Sequence, residues 1–135
     1  MKNWIEILAA LFPRLPGFCN LLDLVRQQRI QAWLVGGCLR DVWLERPVYD
    51  VDVALDGDCR AVGEHLAEQT GGSWFWLDRQ RGQVRVLCPA EEGKTVTYDL
   101  VPLEGGSLAS DLGRRDFTIN AMALALPGFA PFFDP

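Results

Sequence analysis

The chain has 135 residues, of which 49% are hydrophobic, and this length and apolar content are typical of one domain with a buried core. Its formal net charge is −5 at pH 7, so the field of the whole chain does not attract nucleic acid, and any RNA contact must be local or lie in other domains. No stretch resembles a signal peptide, and no apolar run approaches the roughly twenty residues that a membrane span needs.

The spacing of the apolar residues predicts helices and strands in mixed order. Residues 1–30 form an N-terminal helical segment, with a short helix at about 4–12 and a second helix that ends near residue 30. Strands are predicted near 32–35, 51–55, 73–77, 84–87 and 95–100, and further helices near 38–44, 58–70 and 115–126. This pattern indicates an α+β domain, a mixed β-sheet flanked by helices.

Several other residues have an ordinary structural interpretation. Arg79, Arg81 and Arg85 surround a turn at Gly82, which predicts a hairpin with solvated arginines. The single histidine, His65, is expected on a helix face, and its isolation gives little support to acyl-transfer chemistry. The four cysteines contain no CxxC pair, so zinc binding is disfavoured, and buried free thiols of a cytosolic protein are expected at Cys19, Cys38, Cys59 and Cys88.

The first candidate site is the glycine turn that follows the predicted strand at 32–35. Gly36 and Gly37 stop this apolar run, and the next residues indicate a helix that carries Arg40 one turn after its start. Glycines allow a ligand to approach the backbone closely, and free N–H groups at a helix start favour anionic oxygens. The forked donors of Arg40 could then reach a triphosphate. A plain helix start, with Arg40 paired to a neighbouring carboxylate, is the alternative.

The second candidate site is the acidic pair Asp50 and Asp52. Successive side chains of a strand point to opposite faces, so these two carboxylates share one face while Val51 and Val53 point into the core. Two neighbouring carboxylates suit Mg²⁺, which is usually held by one or two of them together with substrate phosphates. An aspartate at a strand start is also common as a simple turn residue, and this alternative stays open.

The third candidate site is the polar segment 111–121, with the sequence DLGRRDFTINA, which precedes an apolar run. It places Arg114, Arg115, Asp116 and Asn120 within a few residues of one another, an unusual density of polar groups for a surface segment. The alternative is a capped helix start with solvated charges.

Together, the segments LVGGCLRD, DVD and DLGRRDFTINA resemble the catalytic head domain of the class II tRNA nucleotidyltransferase and bacterial poly(A) polymerase family. The resemblance runs from about Ala32 to Asp134, and the closing FFDP resembles the segment that ends the family's head domain. It implies the polymerase-β-like nucleotidyltransferase fold and a single head domain over 1–135. The family's neck, body and tail, which pair with the base and hold the tRNA, would follow, so we expect the chain to be a fragment.

The resemblance also implies a role for each matching residue. Asp50 and Asp52 would bind metal and act in catalysis together with Asp99, an acid on a neighbouring strand that could also be an ordinary strand-end aspartate. The nucleotide would be held by Gly36, Gly37, Arg40, Arg114, Arg115, Asp116 and Asn120.

The implied function is two-metal, Mg²⁺-dependent transfer of nucleotides from ATP and/or CTP to the 3′ end of tRNA or another RNA in the cytoplasm. The alternatives are a non-catalytic nucleotide-binding or interaction module of the same fold, and a small nucleotidyltransferase with a non-RNA acceptor. The loop at 101–110 is shorter than in many CCA-adding members of the family. The product therefore stays open between CCA, CC, A and poly(A) addition.

Overall fold

The structure, a computed structural model, describes residues 4–36, 44, 47–103, 123–126, 128 and 130–132. Nearly all of the helix predicted at 38–44 lies outside these residues. Six of the predicted site residues also lie outside the described residues: Gly37, Arg40, Arg114, Arg115, Asp116 and Asn120.

The two helices predicted within residues 1–30 and the helix near 58–70 are confirmed. Helix α1 spans Trp4–Leu11 and continues into a 3-10 turn at Phe12–Arg14, and helix α2 spans Phe18–Gln28. Helix α3 spans Cys59–Thr70. The side chain of Asp58 begins α3, because its Oδ1 accepts hydrogen bonds from the first backbone N–H groups of the helix.

Among the described residues, seven strands form one mixed sheet with the order β3-β4-β5-β2-β1-β6-β7. Their bounds are Gln31–Val35 for β1, Asp50–Asp56 for β2, Ser73–Asp78 for β3, Gln83–Pro89 for β4, Thr95–Pro102 for β5, Ala123–Leu126 for β6 and Ala130–Phe132 for β7. The first five confirm the predicted strands. Within the described residues β2 and β5 pair in parallel and the other neighbours are antiparallel.

The helix predicted at 115–126 is wrong at its end, where residues 123–126 form strand β6. Residues 123–126 are extended and pair with β1, so that Leu124 lies opposite Leu34 and Leu126 opposite Ala32. Alanine and leucine favour a helix locally, but this preference is weak and tertiary pairing overrides it. The remainder of that predicted helix, 115–122, lies outside the described residues.

The helices cover one face of the sheet, and this face forms the core. Helix α3 packs closely on β4 because residue 63 is a glycine, where a Cβ atom would lie only 2.7 Å from Cγ1 of Val84. The buried Tyr98 of β5 ties the sheet to the N-terminal helices, since its hydroxyl donates a 2.6 Å hydrogen bond to the carbonyl of Pro16. The alternation of buried and less buried residues along β2 and β5 places Asp50, Asp52 and Asp99 on the other face.

The cysteine prediction is partly wrong. Cys59 and Cys88 are buried free thiols, as expected, whereas Cys19 is exposed. It lies on the solvent side of α2, whose apolar side faces the core through Phe18, Leu21, Leu22, Leu24 and Val25. Cys38 lies outside the described residues. His65 lies on α3, as predicted, and is half-buried.

Within the part of the chain that the structure describes, no single helix is long and apolar enough to cross a membrane. One pair of helical stretches, Glu6–Arg14 and Phe18–Gln28, meets the length and composition criteria when taken together, with a bend of 104° between them.

Candidate functional site

Strand β2 carries two carboxylates at its start. Val51 and Val53 are 1% and 0% exposed in the core, so strand alternation turns Asp50 and Asp52 to the face of the sheet opposite the helices. Asp50 is exposed and Asp52 is half-buried. The two side chains thus have the common orientation that the sequence predicts.

A third carboxylate joins this face through the parallel pairing of β2 with β5. Asp52 lies opposite Asp99, and Asp50 lies opposite Thr97. Because paired strands are about 4.8 Å apart, directly opposed residues have neighbouring side chains. The structure therefore brings Asp99 beside Asp50 and Asp52, an acidic pair that is far from it in the sequence.

Arg85 binds this third carboxylate. It lies opposite Asp99 in the antiparallel pair of β4 and β5. Its Nε donates to Oδ1 of Asp99 at 2.7 Å and its Nη2 donates to Oδ2 at 2.9 Å, the forked geometry of a strong charge-assisted pair. The hydrogen bond and charge of Asp99 raise the pKa of Arg85, and the charges of Asp50 and Asp52 add to this shift.

The prediction that Arg85 is a solvated hairpin residue is therefore wrong. The hairpin itself is confirmed, and Arg81 is exposed there, with a 3.7 Å ion pair to Asp78. The cation of Arg85 instead faces the acids because β4 alternates, with Val84 and Val86 in the core. A charged residue between two buried valines was the signal in the sequence, but its partner depends on strand pairing.

Gly36 lies directly after β1 and close to the carboxylate of Asp52. Its φ of +77° is a conformation that favours glycine, and a Cβ atom at this position would lie 3.1 Å from Oδ2 of Asp52. The pairing of Val35 with Asp52 brings the turn to this place. Of the predicted site residues, the structure thus brings Gly36, Asp50, Asp52 and Asp99 together, and the others lie outside the described residues.

The donor chemistry of this cluster suits a hard divalent cation, because carboxylate oxygens are the ligands that such ions prefer. Among the described residues, however, no group of three or more His, Cys, Asp or Glu side chains is arranged to hold one ion. Both oxygens of Asp99 accept hydrogen bonds from Arg85. Asp50 and Asp52 share one face of β2, so their carboxylates fit part of a cation site, and Asp99 lies beside them.

A cavity of about 450 Å³ lies next to the start of β2 but is separate from this cluster. Its lining includes Pro16, Val48, Tyr49 and Lys94 and none of the four site residues. Lys94 Nζ donates a 3.0 Å hydrogen bond to the hydroxyl of Tyr49 across this region. The carboxylate cluster thus lies on the face of the sheet opposite the helices and is not part of this cavity.

Residues 32–134 match the family model described as Poly A polymerase head domain. The chain belongs to this family. The head domain is 40% identical over 115 residues to the CC-adding tRNA nucleotidyltransferase of Geobacter sulfurreducens, a match that covers 85% of the chain and 26% of the relative. It is 28% identical over 116 residues to the A-adding tRNA nucleotidyltransferase of Halalkalibacterium halodurans, covering 79% and 27%. The chain thus spans about a quarter of the length of these curated relatives.

Solved structures agree with this assignment. A tRNA nucleotidyltransferase complexed with a primer tRNA and an incoming ATP analog superposes on the head domain with a TM-score of 0.65 and 28% identity, covering 78% of this chain and 31% of that one. The family resemblance and the nucleotidyltransferase fold predicted from the sequence are both confirmed.

Proposed function

We propose that this head domain catalyses nucleotidyl transfer from ATP and/or CTP to the 3′ end of tRNA or another RNA. The observation that carries the proposal is the cluster of Gly36, Asp50, Asp52 and Asp99 on the face of the sheet opposite the helices. The chain that carries this cluster belongs to a family whose named members include CC-adding and A-adding tRNA nucleotidyltransferases. The cellular setting we propose is the cytoplasm.

Each residue has a defined task in this proposal. Asp50 and Asp52 would hold Mg²⁺, and Asp99 would supply a further carboxylate. The chemistry that a bound Mg²⁺ would supply is a lower pKa for the 3′ hydroxyl and compensation of the charge of pyrophosphate. The family resemblance assigns the triphosphate to Gly36, Gly37 and Arg40, and the phosphates and ribose to Arg115 and Asp116, supported by Arg114 and Asn120.

The RNA acceptor requires more than the surface of this chain. A net charge of −5 disfavours general attraction of a polyanion. Positioning of the 3′ hydroxyl contributes much of the rate in such a reaction, and we propose that regions outside this head domain perform this task. In this proposal the site residues bind metal, phosphates and ribose, none of which differs between the four nucleoside triphosphates. We therefore also assign the choice of base to residues outside this cluster.

The proposal is tested by calorimetric titration of the chain with each of ATP, CTP, GTP and UTP, in the presence and in the absence of Mg²⁺. We expect the chain to bind the four nucleotides within a few-fold of one another and to lose Mg²⁺-dependent binding in Asp52→Asn. The matched control is Asp56→Asn, because Asp56 is exposed on the same strand but roughly 13 Å further along it. Equal nucleotide affinities in the wild type and Asp52→Asn would remove the acidic pair from the mechanism.

A further inference from the structure

The fork between Arg85 and Asp99 places a protein cation among the acids that would bind metal. Asp50, Asp52 and Asp99 share one face of the sheet, and like charges so close together repel one another when no cation is present. Arg85 offsets this repulsion, since its guanidinium binds both oxygens of Asp99 and is further stabilised by the charges of the other two acids.

We propose that Arg85 is an internal counter-ion of the carboxylate site, which neutralises Asp99 in the metal-free domain and yields this carboxylate when a divalent cation binds. This inference rests on the proposed function, because it requires the acids to be a metal site. It assigns to Arg85 the role of a positioning residue, which acts on the reaction through Asp99.

The surroundings of Arg85 allow such an exchange. Its side chain is 37% exposed, whereas that of Asp99 is only 20% exposed, so the arginine is the partner that can move into solvent. On its other side Arg85 lies opposite Phe75 of strand β3, a residue that is 44% exposed. A guanidinium released from Asp99 can therefore rest on an accessible aromatic ring, which favours a nearby cation.

The proposal fixes the sign of a measurable effect. If Arg85 competes with the cation for Asp99, removing its charge must tighten divalent cation binding and destabilise the metal-free domain. If Arg85 instead only orients Asp99 as a metal ligand, its removal must weaken cation binding, as loss of an outer partner usually does. The two roles thus predict opposite changes in affinity.

The experiment measures binding of Mn²⁺ to the intact chain from the electron paramagnetic resonance signal of the free ion. We expect Arg85→Gln to bind Mn²⁺ about three- to tenfold more tightly than the wild type, a range reduced by the partial exposure of the pair. In EDTA, Arg85→Gln should melt at a lower temperature than the wild type, and added Mn²⁺ should narrow this difference. The control is Arg81→Gln, an exposed arginine of the same hairpin that pairs with Asp78.

A second variant keeps the test decisive. Arg85→Lys retains the charge without the fork, and we expect an affinity for Mn²⁺ between those of the wild type and Arg85→Gln. Unchanged or weaker Mn²⁺ binding in both folded Arg85 variants would overturn the counter-ion role. If Asp52→Asn abolishes Mn²⁺ binding in the same assay, only that role fails. If Asp52→Asn leaves Mn²⁺ binding unchanged, the proposed function fails as well.

Discussion

Gly36 and Asp52 are so close that a single methyl group at residue 36 would press on the carboxylate, with 3.1 Å between its Cβ and Oδ2 of Asp52. The contact joins the turn after β1 to the acidic pair of β2, two elements that are also paired through Val35 and Asp52. The geometry of the turn and the position of the carboxylate are therefore coupled.

We expect Gly36→Ala to lower both the stability and the nucleotide affinity of the domain. The positive φ should cost about 1–2 kcal/mol of unfolding free energy, and displacement of Asp52 should weaken Mg²⁺-dependent nucleotide binding by about 1–2 kcal/mol. Gly71→Ala is the matched control, because Gly71 has a φ of +70° but no atom within 4 Å of its Cβ position. Urea denaturation and calorimetry measure the two effects. If both variants bind nucleotide equally well, the turn is not part of the site.

Arg115 tests the third sequence motif, which the family resemblance assigns to the nucleotide phosphates. We expect Arg115→Ala to lose roughly 1.5–3 kcal/mol of nucleotide binding, the range of hydrogen bonds to charged groups. Arg115→Lys should recover little, because an ammonium group lacks the planar pair of donors. Arg26→Ala is the control, since Arg26 is an exposed residue of α2. An unchanged dissociation constant in Arg115→Ala would favour the alternative of a simple capped helix start.

Gly63→Ala tests the close packing of α3 on β4. A Cβ atom here would lie 2.7 Å from Cγ1 of Val84, so we expect overpacking to exceed the gain in helix propensity and to cost a net of about 1–2 kcal/mol. In Val84→Ala the clash is removed, and Gly63→Ala should cost less in that background than in the wild type. Urea denaturation of the four proteins gives this coupling. A Gly63→Ala variant as stable as the wild type would show that the helix can shift.

Cys59 predicts a loss of stability at alkaline pH. Burial, with a contribution from the charge of Asp58, raises the pKa of Cys59 to about 12 from an ordinary value of 9.0. The folded state therefore holds this proton more tightly than the unfolded state does. The free energy of unfolding should be independent of this group below about pH 9 and should fall above it, by up to about 1.4 kcal/mol per pH unit.

Cys59→Ala should remove part of this pH dependence, whereas Cys19→Ala, at an exposed position, should keep it. Urea denaturation at pH 8, 9 and 10 gives the comparison. Burial also raises the pKa of Cys88 and of Tyr98. The free energy of unfolding of Cys59→Ala should therefore fall less steeply with pH than that of the wild type, but it should still fall. Parallel curves for Cys59→Ala and the wild type would contradict the prediction.

Local patterns in the sequence predict β2 well, because alternation of acids and valines has one simple structural solution. They do not predict the partners of its acids. The opposition of Asp52 to Asp99, and of Asp99 to Arg85, depends on the register between strands, which no short segment encodes. The prediction of a helix at 123–126 was wrong for a related reason. Alternating alanine and leucine suit a helix as well as a strand, and only pairing with β1 decides between them.

The position of β1 between β2 and β6 also affects how the chain is made. Residues 31–35 are largely apolar, and until residues 123–126 leave the ribosome one side of this strand has unpaired N–H and C=O groups. Pairing over such a sequence distance is slow, and an open apolar edge invites association with other strands. The nascent chain therefore carries all three acids before this edge is covered. A chain that ends before Ala123 should accordingly accumulate in aggregates.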